Sequence, residues 1–311
     1  MDATCAPADI AYPTDTGLLA EGIEKTDAML DTMQKPLKGK EARPRTYRKK
    51  SRKVFTSFIK RRKPSAKLIR KTKRKQLGYL KRNLAAIEDM KKRGGRLSKQ
   101  QEKVLETIQT LYAQQQTMYN NKSTRIDDRI VSISQPHIRP IVRGKARTPV
   151  EFGPKINMSV VNGYVFVDEI NFDAFYEGDL LENSIINYYV RFGVLPSRIL
   201  ADGAYTSRDN RELCKSLGIK LMAKSLGRPP KGTVPGIDKE DVSSRNEIEG
   251  KFGTLKTSSG WNRIMARLLE TSITVINVAA FVFNLDKRAR ALWCFFGKRI
   301  LFGKFRPVFV G

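Results

Sequence analysis

Two groups of residues are placed where they could do chemistry. Asp202 follows the apolar run Ile199-Leu200-Ala201 and precedes Gly203. A carboxylate at a strand's end beside a glycine leaves space for a ligand, although the position also suits an ordinary turn-forming Asp. Arg245, Glu249 and Lys256 fall in one predicted helix that starts behind Ser243. At about 100° per residue, Glu249 lies about 40° and Lys256 about 20° from Arg245. The three therefore share a face, whereas Glu247 falls about 160° from Glu249 and looks the other way. A carboxylate between two cations on one stripe can hold a metal ion while the cations grip phosphates. Arg245 and Glu249 also have the i,i+4 spacing of a common exposed ion pair. Phosphodiester cleavage with two metal ions, about 3.5–4 Å apart, needs carboxylates converging from separate elements, so the surrounding elements decide between these readings.

The charge of the chain narrows its partners. Its 311 residues carry 59 Lys and Arg against 31 Asp and Glu, a net charge of +28. Between Lys35 and Arg82 stand 22 basic residues and one acid, Glu41, so 21 of the 28 net charges sit in 48 residues. A chain this basic repels itself unless it meets a polyanion, and clustering of this kind marks a nucleic-acid-binding surface. Arg61, Arg62 and Lys63 are its candidate DNA contacts, with Tyr47, Phe55 and Phe58 interleaved among the charges. Cys5, Cys214 and Cys294 are too scattered for a disulfide framework or a zinc site. His137 is the only histidine; with no nucleophile partner in view it reads as structural. The longest apolar stretch, Ile273 to Leu285, is too short to span a bilayer and reads as a buried helix.

The periodicities describe an α/β chain. A helix is expected near Leu18–Met33, and the basic segment reads as helical from about Ser51. Leu77, Leu80, Leu84 and Ile87 repeat at 3-4-3 spacing. After Gly94-Gly95 the pattern returns at Val104, Ile108, Leu111, Gln115 and Met118, which makes an antiparallel helical hairpin with one polar member. Val150–Val161 and Tyr164–Ile170 flank Asn162-Gly163, the signature of a β-hairpin with a type I′ turn. A helix over Leu180–Phe192, with Leu181, Ile185, Tyr189 and Phe192 on one face, precedes a strand at Arg198–Ala201. Another helix (Asp209–Leu217), a strand (Ile219–Ala223) and a Gly/Pro linker (Gly227–Gly236) follow, and the chain is then helical almost to its end. The expected divisions are 1–19, a basic helical insertion over 20–130, an α/β domain over 131–290 and a basic aromatic tail over 291–311. The tail is open to packing on the sheet, binding DNA or lying on a membrane surface.

Several blocks, in order, resemble a known family. The order Arg245, three residues, Glu249, six residues, Lys256 is similar to the Arg-Glu-Lys part of the YREK signature in one branch of DDE-type insertion-sequence transposases. Arg245 to Gly253, Ala201 to Tyr205, Asp2 to Asp15, and Arg129 to Lys145 resemble the blocks of that family. The resemblance implies a ribonuclease-H-like mixed sheet with a large basic helical insertion and a helical C-terminus. It implies Asp2, Asp202 and Glu249 as a catalytic triad holding two Mg²⁺ ions, with Mn²⁺ as a substitute. Arg245 and Lys256 would contact phosphates near the scissile end. The implied activity is DNA cleavage and strand transfer at insertion-sequence ends by a homodimer pairing two ends. Neither a membrane nor a small-molecule substrate is implied, and the place is the bacterial cytoplasm, at the nucleoid. Two departures accompany it. The signature Tyr falls at Val242, and Asp2 directly follows Met1, where the family carries a strand and an N-terminal DNA-binding region. The expectation is an incomplete copy whose first strand is missing, which binds DNA but folds poorly and does not cut. A different class, a non-catalytic DNA-binding remnant, stays open; a ribosomal type of RNA-binding protein explains the charge but not the carboxylate blocks.

Overall fold

The computed structural model describes residues 1–37, 42–142, 150–223 and 239–302, without the side chains of 239–245 and 296–302. The Gly227–Gly236 linker and residues 303–311 of the C-terminal tail lie outside the described residues. Along the chain, β1 (Asp2–Cys5) precedes four helices, α1 (Asp15–Gln34), α2 (Arg48–Ile59), α3 (Ala66–Lys92) and α4 (Lys99–Asn120). Next come β2 (Pro140–Val142), β3 (Val150–Phe152), β4 (Lys155–Val161), β5 (Tyr164–Asn171) and α5 (Leu181–Phe192). The chain continues through β6 (Arg198–Leu200), α6 (Arg208–Ser216), β7 (Lys220–Met222), α7 (Lys239–Ser258) and α8 (Leu269–Phe302). These elements form two compact units, one helical (Ile10–Pro140) and one built on sheets (Met1–Asp9 with Ile141–Gly311). The unit boundaries thus fall at 9/10 and 140/141 rather than at 19/20 and 130/131, and α8 crosses position 290 without a break. Among the described residues this is a mixed α/β protein with eight α-helices and small sheets.

In the helical unit, Ser65 and Ser98 cap α3 and α4, the latter through a reciprocal capping box with Gln101. The hairpin they form buries Leu77, Leu80 and Ile87 with Ile108 and Leu111, and α1 adds Leu19 and Ile23. Asp15, in the first turn of α1, anchors the arrangement. It accepts from Lys73 at 2.7 Å, Gln115 at 2.9 Å and Arg129 at 2.6 Å. Gln115 is the polar member of an apolar stripe because its amide must reach this carboxylate. A second anchor lies further along α1: Asn83 donates to Asp27, and Arg48 pairs with Asp31 at 2.7 Å, tying α2 to α1. The basic segment does not run as one helix. It breaks between Ile59 and Ala66, because Pro64 lacks an N–H and disfavours helical backbone at Lys63. Arg61, Arg62 and Lys63 stand exposed in that break.

In the sheet unit, β1, β4 and β5 pair antiparallel in that order, β6 pairs with β7 in parallel, and β2 with β3 makes a ribbon. The β4–β5 turn has Asn162 at φ 52° and Gly163 at φ 75°, both left-handed, as the Asn-Gly pair requires. A side chain at Gly163 would collide with Lys287, whose ammonium donates to the Asn162 carbonyl at 2.5 Å. Ile156, Met158 and Val165 pack under Ile248, Phe252 and Leu255 of α7 and Ile276 of α8. A second core joins Leu181 and Ile185 to Ala201, Tyr205, Cys214 and Ile219. Only the first half of α5 belongs to it. Tyr189 and Phe192 run past that core and are exposed, with Phe192 set edge-on to Phe166. Helix α8 likewise differs from the buried helix expected at Ile273–Leu285. It is 34 residues long and buried along one face only. By length and composition alone Leu269–Phe295 could cross a membrane, but its buried face is already packed on the β4–β5 sheet.

Burial alone would raise the pKa of Asp15, but its hydrogen bonds from Lys73 and Gln115 and the nearby Lys73 and Arg129 charges hold it below the ordinary 3.8. A carboxylate held low contributes stability above the ordinary value and loses it as pH falls through the lowered one. Asp15→Asn should therefore destabilise the helical unit by roughly 2–3 kcal/mol at neutral pH, with the difference from wild type shrinking in acid. Urea unfolding followed by circular dichroism at pH 7 and pH 3 measures both.

Candidate active site

The register of β1 against β4 places Asp2 opposite Met158. The segment after β1 keeps this alignment: Ala6 and Ala8 donate to the carbonyls of Pro154 and Phe152. Between those two residues Gly153 is obligatory, since a Cβ there would fall on the Ala6 carbonyl oxygen. At the other end the Met1 ammonium donates to the Leu200 carbonyl of β6 at 2.6 Å. Asp2 is thus held in a paired strand between β4 and the end of β6. Asp2 therefore does not sit on a frayed end, contrary to expectation, because β4 supplies backbone partners along Asp2–Cys5.

Asp202 follows β6 and caps the short turn Gly203–Tyr205, accepting from the Gly203 N–H at 2.7 Å. Glu249 projects from α7 beside the buried Ile248. Asp2, Asp202 and Glu249 line one small cavity of about 30 Å³ with Met1 and Ile248, room for a single water-sized occupant. Glu247 is directed elsewhere, toward Lys251 at 3.5 Å and a larger cavity. That cavity, of about 410 Å³, is walled by Ser159–Val161 of β4 and Arg198–Leu200 of β6. Among the described residues no three His, Cys, Asp or Glu side chains are grouped closely enough to hold a metal ion.

The surroundings shift the acids of this region. Burial, then the charges of Glu177 and Asp202, push the Asp2 carboxyl above its ordinary value, against the opposing Ala3 N–H and the Met1 ammonium. Glu177, in the turn before α5, is itself paired with Lys155 at 2.9 Å. Nearby, Asp168 of β5 is buried, bonded to Ser159 and paired with Arg191 at 2.5 Å; burial pushes it up as well. Tyr205 senses all four acids. Burial, then Glu177, Asp2, Asp168 and Asp202, drive its phenol far above the ordinary value, so it remains a donor. It donates to Asn157 at 2.9 Å, and Asn157 donates to Ser184 at 2.9 Å. Asn157 stands opposite Ala3 of β1, so this buried relay links the Asp202 turn to the strand that carries Asp2.

The sequence missed Glu177, Asp168 and the Tyr205–Asn157–Ser184 relay. Tyr205 lies in the same short block as Asp202, which was a usable signal; the others are brought in by the sheet alone. Of the expected phosphate contacts, Lys256 sits half-buried in the last turn of α7. The side chains of Arg245 and Val242 lie outside the described residues. Arg61, Arg62 and Lys63 belong to the helical unit. His137 is half-buried, and burial, then Arg139, depresses its pKa.

Residues 199–286 match the family model described as a transposase DDE domain. No curated protein and no solved structure matches the chain. The matched span contains Asp202 and Glu249 but not Asp2.

Tyr205→Phe would leave the buried Asn157 oxygen without its donor, a loss of about 1–3 kcal/mol. Chemical denaturation of the two proteins should show this as a lower midpoint with an unchanged slope.

Proposed function

We propose that this chain, whose residues 199–286 match a transposase DDE domain, cleaves DNA at insertion-sequence ends and joins the freed strand to a target, on a ribonuclease-H-like scaffold. The observation that carries this reading is the convergence of Asp2, Asp202 and Glu249, from β1, the end of β6 and α7, on one cavity. A set made only of carboxylates suits a hard divalent cation such as Mg²⁺ or Mn²⁺. Bound there, such ions supply the Lewis acidity that activates a nucleophile and steadies the charge of the scissile phosphate.

The chain's own residues then have distinct tasks. Asp2, Asp202 and Glu249 hold the cations. Tyr205 and Asn157 keep the Asp202 turn and β1 in fixed relation. Arg245 and Lys256 of α7 hold phosphates near the scissile end. The helical unit, through Arg61, Arg62, Lys63 and the neighbouring bases, grips the DNA backbone without reading its sequence. The work belongs to the cytoplasm, at the nucleoid, with no small-molecule substrate. The second reading, a DNA-binding protein that does not cut, is favoured by one observation: the described acids stand too far apart to group as metal ligands.

Metal binding separates these readings. A cation at ten times its dissociation constant adds about 1.4 kcal/mol, a rise of roughly 3–5 °C in Tm for a unit of this size. We expect Mg²⁺ or Mn²⁺ to raise the Tm of the wild type and of Glu247→Gln, but not of Glu249→Gln. Mg²⁺-dependent nicking should vanish with Glu249→Gln while DNA binding persists. No shift in the wild type, with DNA still bound, would favour the non-catalytic reading.

For DNA binding, each neutralised phosphate adds close to one unit to the slope of log K against log salt. Replacing Arg61, Arg62 and Lys63 with Gln should flatten that slope by about two to three units. An unchanged slope would move the binding surface elsewhere.

A further inference from the structure

Three cations of the helical unit converge on one ring. The Arg45 and Arg82 guanidiniums stand 5.5 and 4.8 Å, and the Lys50 ammonium 5.8 Å, from the centre of the Tyr47 ring. They come from three places: the segment before α2, the first turn of α2 and the middle of α3. Their chain neighbours Arg43 and Arg48 are both paired with Asp31, yet among the described residues no carboxylate pairs with Arg45, Lys50 or Arg82. A ring face attracts an exposed cation only weakly and leaves the three like charges repelling one another. A phosphate among them would satisfy all three. The ring itself is firmly placed. Arg48, directly after it, is bonded to the Asp27 carbonyl at 2.9 Å and to Asp31 at 2.7 Å. Tyr47 stacks on Tyr79, with centroids 5.8 Å and planes 29° apart, and Tyr79 packs against the helical core. Tyr47 is only half-buried, and the three cations around it are exposed, with long side chains that can swing off the ring.

We infer that Tyr47 is a stacking platform for an unpaired base of single-stranded DNA, with Arg45, Lys50 and Arg82 holding the phosphates beside that base. Inside a duplex both faces of a base are covered by its neighbours, so duplex phosphates would use the cations but not the ring. An unpaired nucleotide uses both, the aromatic face for its base and the cations for its backbone, and any of the four bases can stack there. Arg82 adds a guanidinium plane on which the second face of the base can lie. The inference rests on the DNA-binding part of the proposed function and adds the strand state of the DNA that this unit holds.

The test uses the full chain and fluorescence anisotropy with a labelled oligothymidine and with a duplex of the same length. Tyr47→Ala should weaken single-strand binding about tenfold or more and leave duplex binding nearly unchanged. Its salt slope should stay as in the wild type, because no charge is removed. Tyr47→Phe, which keeps the ring, should bind like the wild type, and Arg82→Gln should flatten the single-strand slope by about 0.7 units. A direct readout needs no variant: with 5-iodouracil in place of thymine, irradiation of the complex should crosslink the base to Tyr47. Crosslinks that miss Tyr47 overturn the inference, as does an equal loss on both DNAs in a Tyr47→Ala protein of unchanged circular dichroism. A Tyr47-dependent preference for the corresponding RNA overturns the assignment to DNA. Binding of the duplex without the single strand overturns this inference alone, whereas binding of neither overturns the DNA reading with it.

Discussion

The pairing of β1 with β4 fixes where Asp2 stands, and the candidate site is arranged around that position. Four residues of strand and the Ala6 and Ala8 contacts that extend them hold the amino end of the chain to a strand some 150 residues further on. The same stretch reaches the end of β6 through the Met1 ammonium. Because side chains alternate along a strand, moving this register by one residue would turn Asp2 away from the cavity it shares with Asp202 and Glu249. Gly153 and the Asn157 relay can be understood as guards of that register, one by close approach and the other by hydrogen bonding.

Charge is distributed in opposite senses in the two units. The helical unit concentrates bases on its surface and spends its few internal acids, Asp15 and Asp27, on fixing helices to each other. The sheet unit gathers acids at one place, where burial leaves Asp2 and Asp168 reluctant to ionise. Lys155 and Arg191 pair with the neighbouring acids Glu177 and Asp168. Asp2, Asp202 and Glu249 line a small cavity. A polyanion and a divalent cation are the ligands proposed for these two distributions.

Much of this was legible in the sequence, for identifiable reasons. Helix and strand periods, the Asn162-Gly163 turn and Gly193 after α5 are local signals whose physics needs no distant partner. The relation of Glu249 to Glu247 was also local, since one helix sets both directions. What failed depended on neighbours. Tyr189 and Phe192 had the spacing of a buried face, yet the core beneath α5 ends before reaching them. Gln115 broke an apolar pattern for a carboxylate 100 residues away in the chain. Pro64 was a local signal of a helix break, obscured by the length of the basic run. Glu177 gave no sign of its place because only the folded sheet brings it beside Asp2.

Asn284 has a consequence outside the site. Among the described residues β5 is an edge of the β1-β4-β5 sheet, and an edge strand offers unpaired N–H and carbonyl groups to any other chain in extended form. The Asn284 amide accepts from the Val165 N–H and donates to the Val165 carbonyl, copying with one side chain the two bonds a neighbouring strand would make. That edge is thereby closed at Val165 by a helix, and the hairpin is shielded there from adding strands end on end into aggregates.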